Sequence, residues 1–291
     1  MFSIVIPSFN NINYLKILIE SLEKNSTKKH EIIVHINEGS DGSLSYVKKK
    51  GIIYTYTKKN VGLCTATNIA ATKATTNYIL YSHDDMYFCP GWDLELNNEI
   101  NKLKTNAFYL SGTMIEKSSG HIQIDCGSDY ENFNEKKLLR EYDSISFFDH
   151  QGSHWAPHLI HKSYWYRIGG FSEEFNPGIG SDPDLNMKLW NSGVRIFKGL
   201  NKFRVYHFGS IVLRKKTGLK RNKGTKTFLR KWGITPVFFV KYYLRGGTFR
   251  RGFIKCKRYD APLGPPVKNF FYLFEFLICK IQLLYLKLFR F

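Results

Sequence analysis

Residues 77–92 read NYILYSHDDMYFCPGW, and the rest of the chain is organised around this stretch. Tyr78 to Ser82 has the aromatic and aliphatic run of a short buried strand. It stops at His83-Asp84-Asp85. Two adjacent carboxylates at the end of a buried strand are costly unless they face water, a cation or a cationic ligand. Ligands of open α/β sheets bind just beyond the carboxyl ends of the strands. A hard cation is commonly held there by one or two carboxylates and by substrate phosphates. On spacing alone, a solvated turn before Pro90-Gly91 explains the aspartates as well.

Outward from this stretch the pattern is one of strands alternating with helices. Phe2 to Ile6, Glu31 to Ile36 and Ile52 to Thr57 precede it as apolar strands. Ile12, Leu15, Leu18, Ile19 and Leu22 keep helical spacing between the first two, and a short helix precedes Gly51. A helix opening at Asn60-Val61-Gly62 carries Ala66, Ala70, Ala71 and Ala74, small enough to lie close to a sheet. Such alternation predicts βαβ units and a parallel sheet, with the loops after strands one, two and four on one edge, where a nucleotide could sit. Neither GxGxxG nor GxxxxGK[ST] occurs. Beyond helix 91–104 the reading expects weak strands near 107–111 and 121–125, and a strand from Gly152 to Ile160. Ser181-Asp182-Pro183-Asp184 opens a helix ending at Gly193; Ser or Asp as N-cap with an early proline gives both aspartates a capping role. Two short strands, Val194 to Phe197 and Phe203 to Tyr206, precede His207.

The 291 residues suffice for a large core. Five scattered cysteines without a CxxC pair argue against a disulfide framework or a structural zinc and suit a reducing compartment. Met1 leads directly into FSIVI without a signal-peptide pattern. The net charge of +19 is uneven: residues 211–291 hold twenty Lys/Arg against two acids, whereas residues 1–210 are nearly neutral.

In order along the chain, SIVIPSFNN, EIIVHINEGSDGS, NVGLCTATNIAATKATTNYILYSHDD, GGFSEEF, SDPDLNMKLWNSG and YH resemble the motifs of the inverting family 2 glycosyltransferases of GT-A fold, particularly their rhamnosyltransferase-like branch. The resemblance covers residues 2–210 and touches FLRKWG at 228–233. It implies an α/β fold with a Rossmann-like, mainly parallel sheet flanked by helices, plus a basic, aromatic C-terminal helical extension. The expected division is a glycosyltransferase domain over 1–210, with a nucleotide-sugar half to about 110 and an acceptor half after it, followed by the extension over 211–291.

The resemblance also implies roles. Pro7 and Phe9 would line the base pocket, with Glu38 on the base, and Asp84 would approach the ribose or the metal. Asp85 would ligate Mn²⁺ or Mg²⁺, with His207 as a further ligand; Asp182 would be the general base. Trp155 would face the donor sugar or acceptor, and Asp184 would stand on the same side as a competitor for the base role. The activity implied is transfer of a sugar from a UDP- or dTDP-linked donor to a glycan or lipid-linked acceptor, with inversion. This sequence departs from the family at His83 (often Asp), Asn37-Glu38 (often Asp-Asp), Ser181 (often an acid) and Thr67 (often Arg). Those departures keep open a catalytically inactive relative acting as a membrane-associated binding module. His207 has the alternative of a buried histidine ending a strand, and Phe9 and Trp155 that of core aromatics.

Within the extension, KKTGLKRNKGTK reads as mobile. FFYLFEFLICKIQLLYLKLFRF, from Phe270, is long enough to cross a bilayer. Glu275, Lys280, Gln282, Lys287 and Arg290 interrupt it, favouring an interfacial helix on the anionic, cytoplasmic face of a membrane. Packing on the body or on a second subunit is the alternative. No helix-turn-helix, RRM or zinc-finger pattern supports nucleic-acid binding.

Overall fold

The computed structural model describes residues 1–209, 223–250 and 253–288. The apolar run of β1 (Ser3–Phe9) is buried almost throughout, as befits a strand paired on both edges and covered on both faces. It runs parallel to β2 (Glu31–Asn37) on one side and β4 (Tyr78–Tyr81) on the other, with β3 (Ile53–Thr57) outermost beside β2. The crossovers are α1 (Ile12–Asn25), α2 (Ser43–Lys50) and α3 (Leu63–Ala71). In α1 the buried face is carried by Leu15, Leu18, Ile19 and Leu22, the helical spacing read from the sequence. Ala66, Ala70 and Ala71 are buried where α3 lies over β1 and β2.

After β4 the chain turns back as β5 (Met86–Phe88), a strand the sequence reading did not anticipate, then enters α4 (Trp92–Leu103). The second half comprises β6 (Phe108–Glu116), β7 (Ile122–Gln123), α5 (Glu135–Glu141), β8 (His150–Gln151), β9 (His158–His161), α6 (Lys162–Ile168), α7 (Ser181–Asn191) and β10 (Ile196–His207). The sheet order is β3-β2-β1-β4-β9-β6-β10-β5, with β7 beside β6 and β8 beside β10. Thus the expected mainly parallel sheet is present, and β9 joins its two halves by pairing antiparallel to both β4 and β6. The two short strands expected around Val194 and Phe203 are one strand, β10. A register shift between Leu200 and Arg204 accommodates the polar Asn201 and Lys202 that break the sequence pattern.

The later elements are α8 (Gly224–Trp232), α9 (Pro236–Phe239), the hairpin β11 (Thr248–Arg250) and β12 (Phe253–Lys255), and α10 (Phe270–Leu288). Phe228, Leu229, Phe238, Phe239, Leu244 and Tyr272 join the same apolar core as β1 and α7. The extension read from the charge distribution is therefore continuous with the body from Lys223 on. Of the stretch expected to be mobile, residues 215–222 lie outside the described residues, and its last residues begin α8.

Candidate active site

The carboxyl ends of β1, β2 and β4 carry most of the residues singled out above. β5 pairs antiparallel with the end of β10, placing His207 opposite Met86, and the Phe208 N–H donates to the Asp85 carbonyl at 3.1 Å. A return strand thus brings His207 to the carboxylate at the end of β4, across more than a hundred residues of chain. Ligand-type atoms of His83, Asp85 and His207 lie within 4.8 Å of one another. His207 Nε2 stands 3.5 Å from Asp85 Oδ1, and its Nδ1 stands 2.6 Å from Glu116 Oε1. Burial lowers the His83 pKa to about 4 despite Asp85, so this ring is neutral at pH 7 with a lone pair to offer. For His207 burial acts in the same direction, but Asp85 and Glu116 together outweigh it and raise the pKa to about 10. Without a cation its imidazolium is the positive charge between the two carboxylates.

This donor set fits a divalent cation: one carboxylate and two imidazoles, one of them with its other nitrogen committed to a carboxylate. Imidazoles favour Mn²⁺ over Mg²⁺, which prefers oxygen. Glu116, the last residue of β6, was missed by sequence reading, as was the ligand-type position of His83. Nothing local marks Glu116 as more than a solvated strand end. A metal-bound histidine commonly gives its other ring nitrogen to a carboxylate, which fixes the ring's orientation, and His207 Nδ1 meets Glu116 in that way. Glu116→Ala is accordingly expected to weaken Mn²⁺ binding by roughly 10- to 100-fold, measurable by titration calorimetry. Unchanged affinity would mean that Glu116 does not orient His207.

Asp84 is buried and differently employed. It accepts from Ser8 Oγ at 2.7 Å and from Asn11 Nδ2 at 3.1 Å, tying the end of β1 and the loop after it to the end of β4. Of the two readings of Asp84, ribose or metal, the metal-type group holds Asp85 instead. Pro7 is buried within β1 and Phe9, partly exposed, ends it. Glu38 follows β2, exposed, with positive φ (65°), and accepts from Asn10 Nδ2 at 3.3 Å. Asn37 is buried and its Oδ1 accepts the Val61 N–H at 3.0 Å. An Asp at this position would bring a buried charge there; Asn makes the same contact without one.

The two aspartates of α7 diverge. Asp182 Oδ1 is buried and has no hydrogen-bond partner among the described residues. Burial alone raises its pKa to about 7. The Tyr81 hydroxyl, at the end of β4, is likewise buried without a partner. Its ionisation is held far above the usual range, first by burial and then by the charges of Asp182, Asp84 and Asp85. The charges of Asp182 and of the carboxylates after β4 thus all act on the Tyr81 hydroxyl. Asp184 is fully buried and fully employed: its Oδ2 accepts from Ser172 Oγ at 2.6 Å, while Oδ1 accepts from Trp232 Nε1 at 2.8 Å and pairs with Lys231 at 2.9 Å. This corrects the expectation that Asp184 faces a sugar or competes as base. It anchors α8 to α7, a contact not visible from its local sequence because its partners lie some fifty residues away.

Trp155 is half-buried, its ring against His154 at 3.8 Å and His121 at 5.3 Å between centroids. It is part of an aromatic cluster with His150, not of the metal-type group. His121, His150 and Cys256 also have ligand-type atoms within 4.8 Å of one another. However, His121 Nδ1 accepts the Met114 N–H at 2.9 Å, so the neutral ring carries its proton on Nε2. The group then lacks a third lone pair, and we do not assign it to a metal.

A sheet whose parallel half ends in carboxylates at the reversal of strand order, continued by a half that returns a histidine to them, defines a GT-A-type glycosyltransferase fold. The chain belongs to glycosyl transferase family 2, whose model matches residues 3–163. An uncharacterized glycosyltransferase of Rickettsia prowazekii is 31% identical over 198 residues, covering 65% of this chain and 58% of that protein. The hyaluronan synthase of Pasteurella multocida is 26% identical over 243 residues, 80% of this chain and 23% of the synthase. The chain thus spans 58% and 53% of the length of two Rickettsia relatives. Among solved structures, residues 1–349 of S. aureus TarS superpose with a TM-score of 0.55 at 15% identity, over 71% of this chain and 60% of that one. GalNAc-T7 with UDP, GalNAc and Mn²⁺ gives 0.58 at 16% identity, over 80% and 48%. At these identities the structural likeness concerns the fold.

Proposed function

We propose that the chain is an inverting transferase that moves a sugar from a nucleoside diphosphate-sugar to the hydroxyl of a glycan or lipid-linked acceptor. The observation that carries this reading is Asp182: a buried carboxylate oxygen without a hydrogen-bond partner among the described residues, with a pKa near neutrality, whose charge acts on the same Tyr81 hydroxyl as those of Asp84 and Asp85. An acceptor hydroxyl is unreactive at neutral pH, and a carboxylate poised near pH 7 is suited to take its proton. As the O–H bond breaks toward Asp182 Oδ1, the acceptor oxygen bonds to the anomeric carbon. The bond from that carbon to the phosphate oxygen breaks on the opposite face, and the nucleoside diphosphate leaves with its electron pair. Displacement in one step inverts the anomeric centre and needs no protein nucleophile.

His83, Asp85 and His207 would hold the divalent cation, which supplies positive charge to offset that developing on the leaving diphosphate. Solved relatives bound to UDP or UDP-GlcNAc favour a UDP-linked donor over a dTDP-linked one. Mn²⁺ in the GalNAc-T7 complex agrees with the preference argued from the imidazoles. Placement in the rhamnosyltransferase-like branch rests on the sequence resemblance alone.

Release of nucleoside diphosphate from a panel of nucleotide-sugars, with and without Mn²⁺ and with a mixed glycan acceptor pool, tests the reading. Wild type is expected to turn over one donor only with metal, and Asp85→Ala to lose that dependence along with the activity. Metal-independent turnover, or equal turnover by Asp85→Ala, would remove the assignment.

A further inference from the structure

Helix α10 is apolar around most of its circumference, and the described residues cover only part of it. Tyr272, Phe276, Cys279, Leu283 and Leu286, spaced by four and three residues, form the side packed on the body. There Phe238 meets Tyr272 at 5.0 Å and Phe276 at 6.0 Å between ring centroids, and Lys241 pairs with Glu275. Phe270, Phe274, Leu277, Ile281, Leu284 and Leu288 repeat the same spacing two residues out of step. At about 100° per residue this places them on the opposite side, and all six are more than half exposed. Of the twenty-one exposed large hydrophobic residues described in the chain, ten lie on this helix. Apolar surface concentrated in this way marks a contact surface.

We infer that this face of α10 lies in the interfacial layer of an anionic bilayer. Three observations choose that occupant. No described helix is long and apolar enough to cross a membrane, so the helix would lie in the surface plane. The exposed arc is wider than the narrow seam a second helix would cover, since Phe271 and Ile278 extend it on one flank and Leu273 on the other. Charge decides against a second copy: the segment 211–291 carries a net charge of +18, so pairing two copies here would oppose like charges. Anionic headgroups would neutralise them. Lys268, Lys280 and Lys287 are exposed along the helix and just before it. An interfacial helix of this kind combines an apolar face with flanking lysines.

The test uses the full chain, flotation with phosphatidylcholine vesicles and with vesicles that also contain phosphatidylglycerol, and light scattering for the oligomeric state. The chain is expected to float as a monomer with the anionic vesicles, less so at high salt, and poorly with the neutral ones. The triple substitution Phe274→Ser, Leu277→Ser, Ile281→Ser touches none of the packed side and is expected to lower vesicle affinity by about tenfold or more with an unchanged melting temperature. Lys268→Glu with Lys287→Glu is expected to reduce binding to anionic vesicles only. The inference is overturned if wild type fails to float, if the triple variant floats equally well, or if wild type is a dimer that the triple variant dissociates.

Discussion

Asp182→Asn is expected to lower sugar transfer by roughly 10²- to 10⁴-fold, the usual contribution of a positioned general base, while donor binding stays within about twofold of wild type. The isosteric amide keeps the start of α7 but cannot accept the acceptor's proton. Wild-type turnover is expected to rise with pH through about 7, where Asp182 loses its proton, and the residual activity of the variant to lack that limb. Stability should move the other way. Burial raises the folded-state pKa of Asp182 above its unfolded value. Its stabilising contribution is thus complete below the unfolded pKa, near 4, and is lost as pH rises through about 7. Above pH 7 the ionised, unpartnered oxygen is a burden that Asn lacks. The variant is therefore expected to be at least as stable as wild type there, by up to a few kcal/mol. An inactive variant that also melts early would point to a packing role; a variant with undiminished turnover would place the base elsewhere.

Acidification from pH 7 to 5 is expected to destabilise the protein by on the order of 5–10 kcal/mol as an upper bound, a large part of the usual stability of a domain. Burial, acting first in every case, lowers the pKa of His35, His83, His150 and His154 to about 4 and that of His158 to about 3, and drives that of His121 well down. The ring of His158 has no hydrogen-bond partner at either nitrogen among the described residues. With folded-state pKa values depressed below the unfolded value near 6.5, each ring contributes stability that is present above pH 6.5 and is lost as pH falls toward 4. Asp182 binds a proton in the same interval and opposes the trend by one proton. His207 is protonated throughout this range in the folded protein, and its raised pKa gives stability that is complete below about 6.5 and is lost as pH rises through about 10. Thermal melts should therefore show a midpoint lower at pH 5 than at pH 7, by up to about 20 °C. A flat profile would mean that these rings are not held neutral in the folded protein.

What was legible in the sequence was legible because it is local. The apolar runs of β1, β2 and β4, the helical spacing of α1, the small face of α3 and the abrupt His83-Asp84-Asp85 each follow from side-chain periodicity or from the cost of burying charge. They place a candidate site at one sheet edge. The aspartate at the start of α7 could also be picked out, though its role could not be separated from capping. Which of Asp182 and Asp184 has an unpartnered oxygen depends on where Trp232 and Lys231 fall, and those residues arrive from α8 through tertiary packing.

The same distinction separates Asp85 from Asp84. Adjacent residues leave a strand in different directions, and only the positions of Ser8 and Asn11 reveal that Asp84 is already bonded. His83, Asp85, His207 and Glu116 converge because β5 folds back against β10 and β10 runs beside β6, pairings that no local pattern specifies. For α10, the sequence by itself determined an apolar helix with interrupting charges. The tertiary structure decided which side is satisfied, since among the described residues Tyr272 and Cys279 find partners on the body while Phe274 and Ile281 stay exposed. Periodicity and charge are properties of a segment, whereas a site is a property of the distances between segments, and sheet order and packing set those distances.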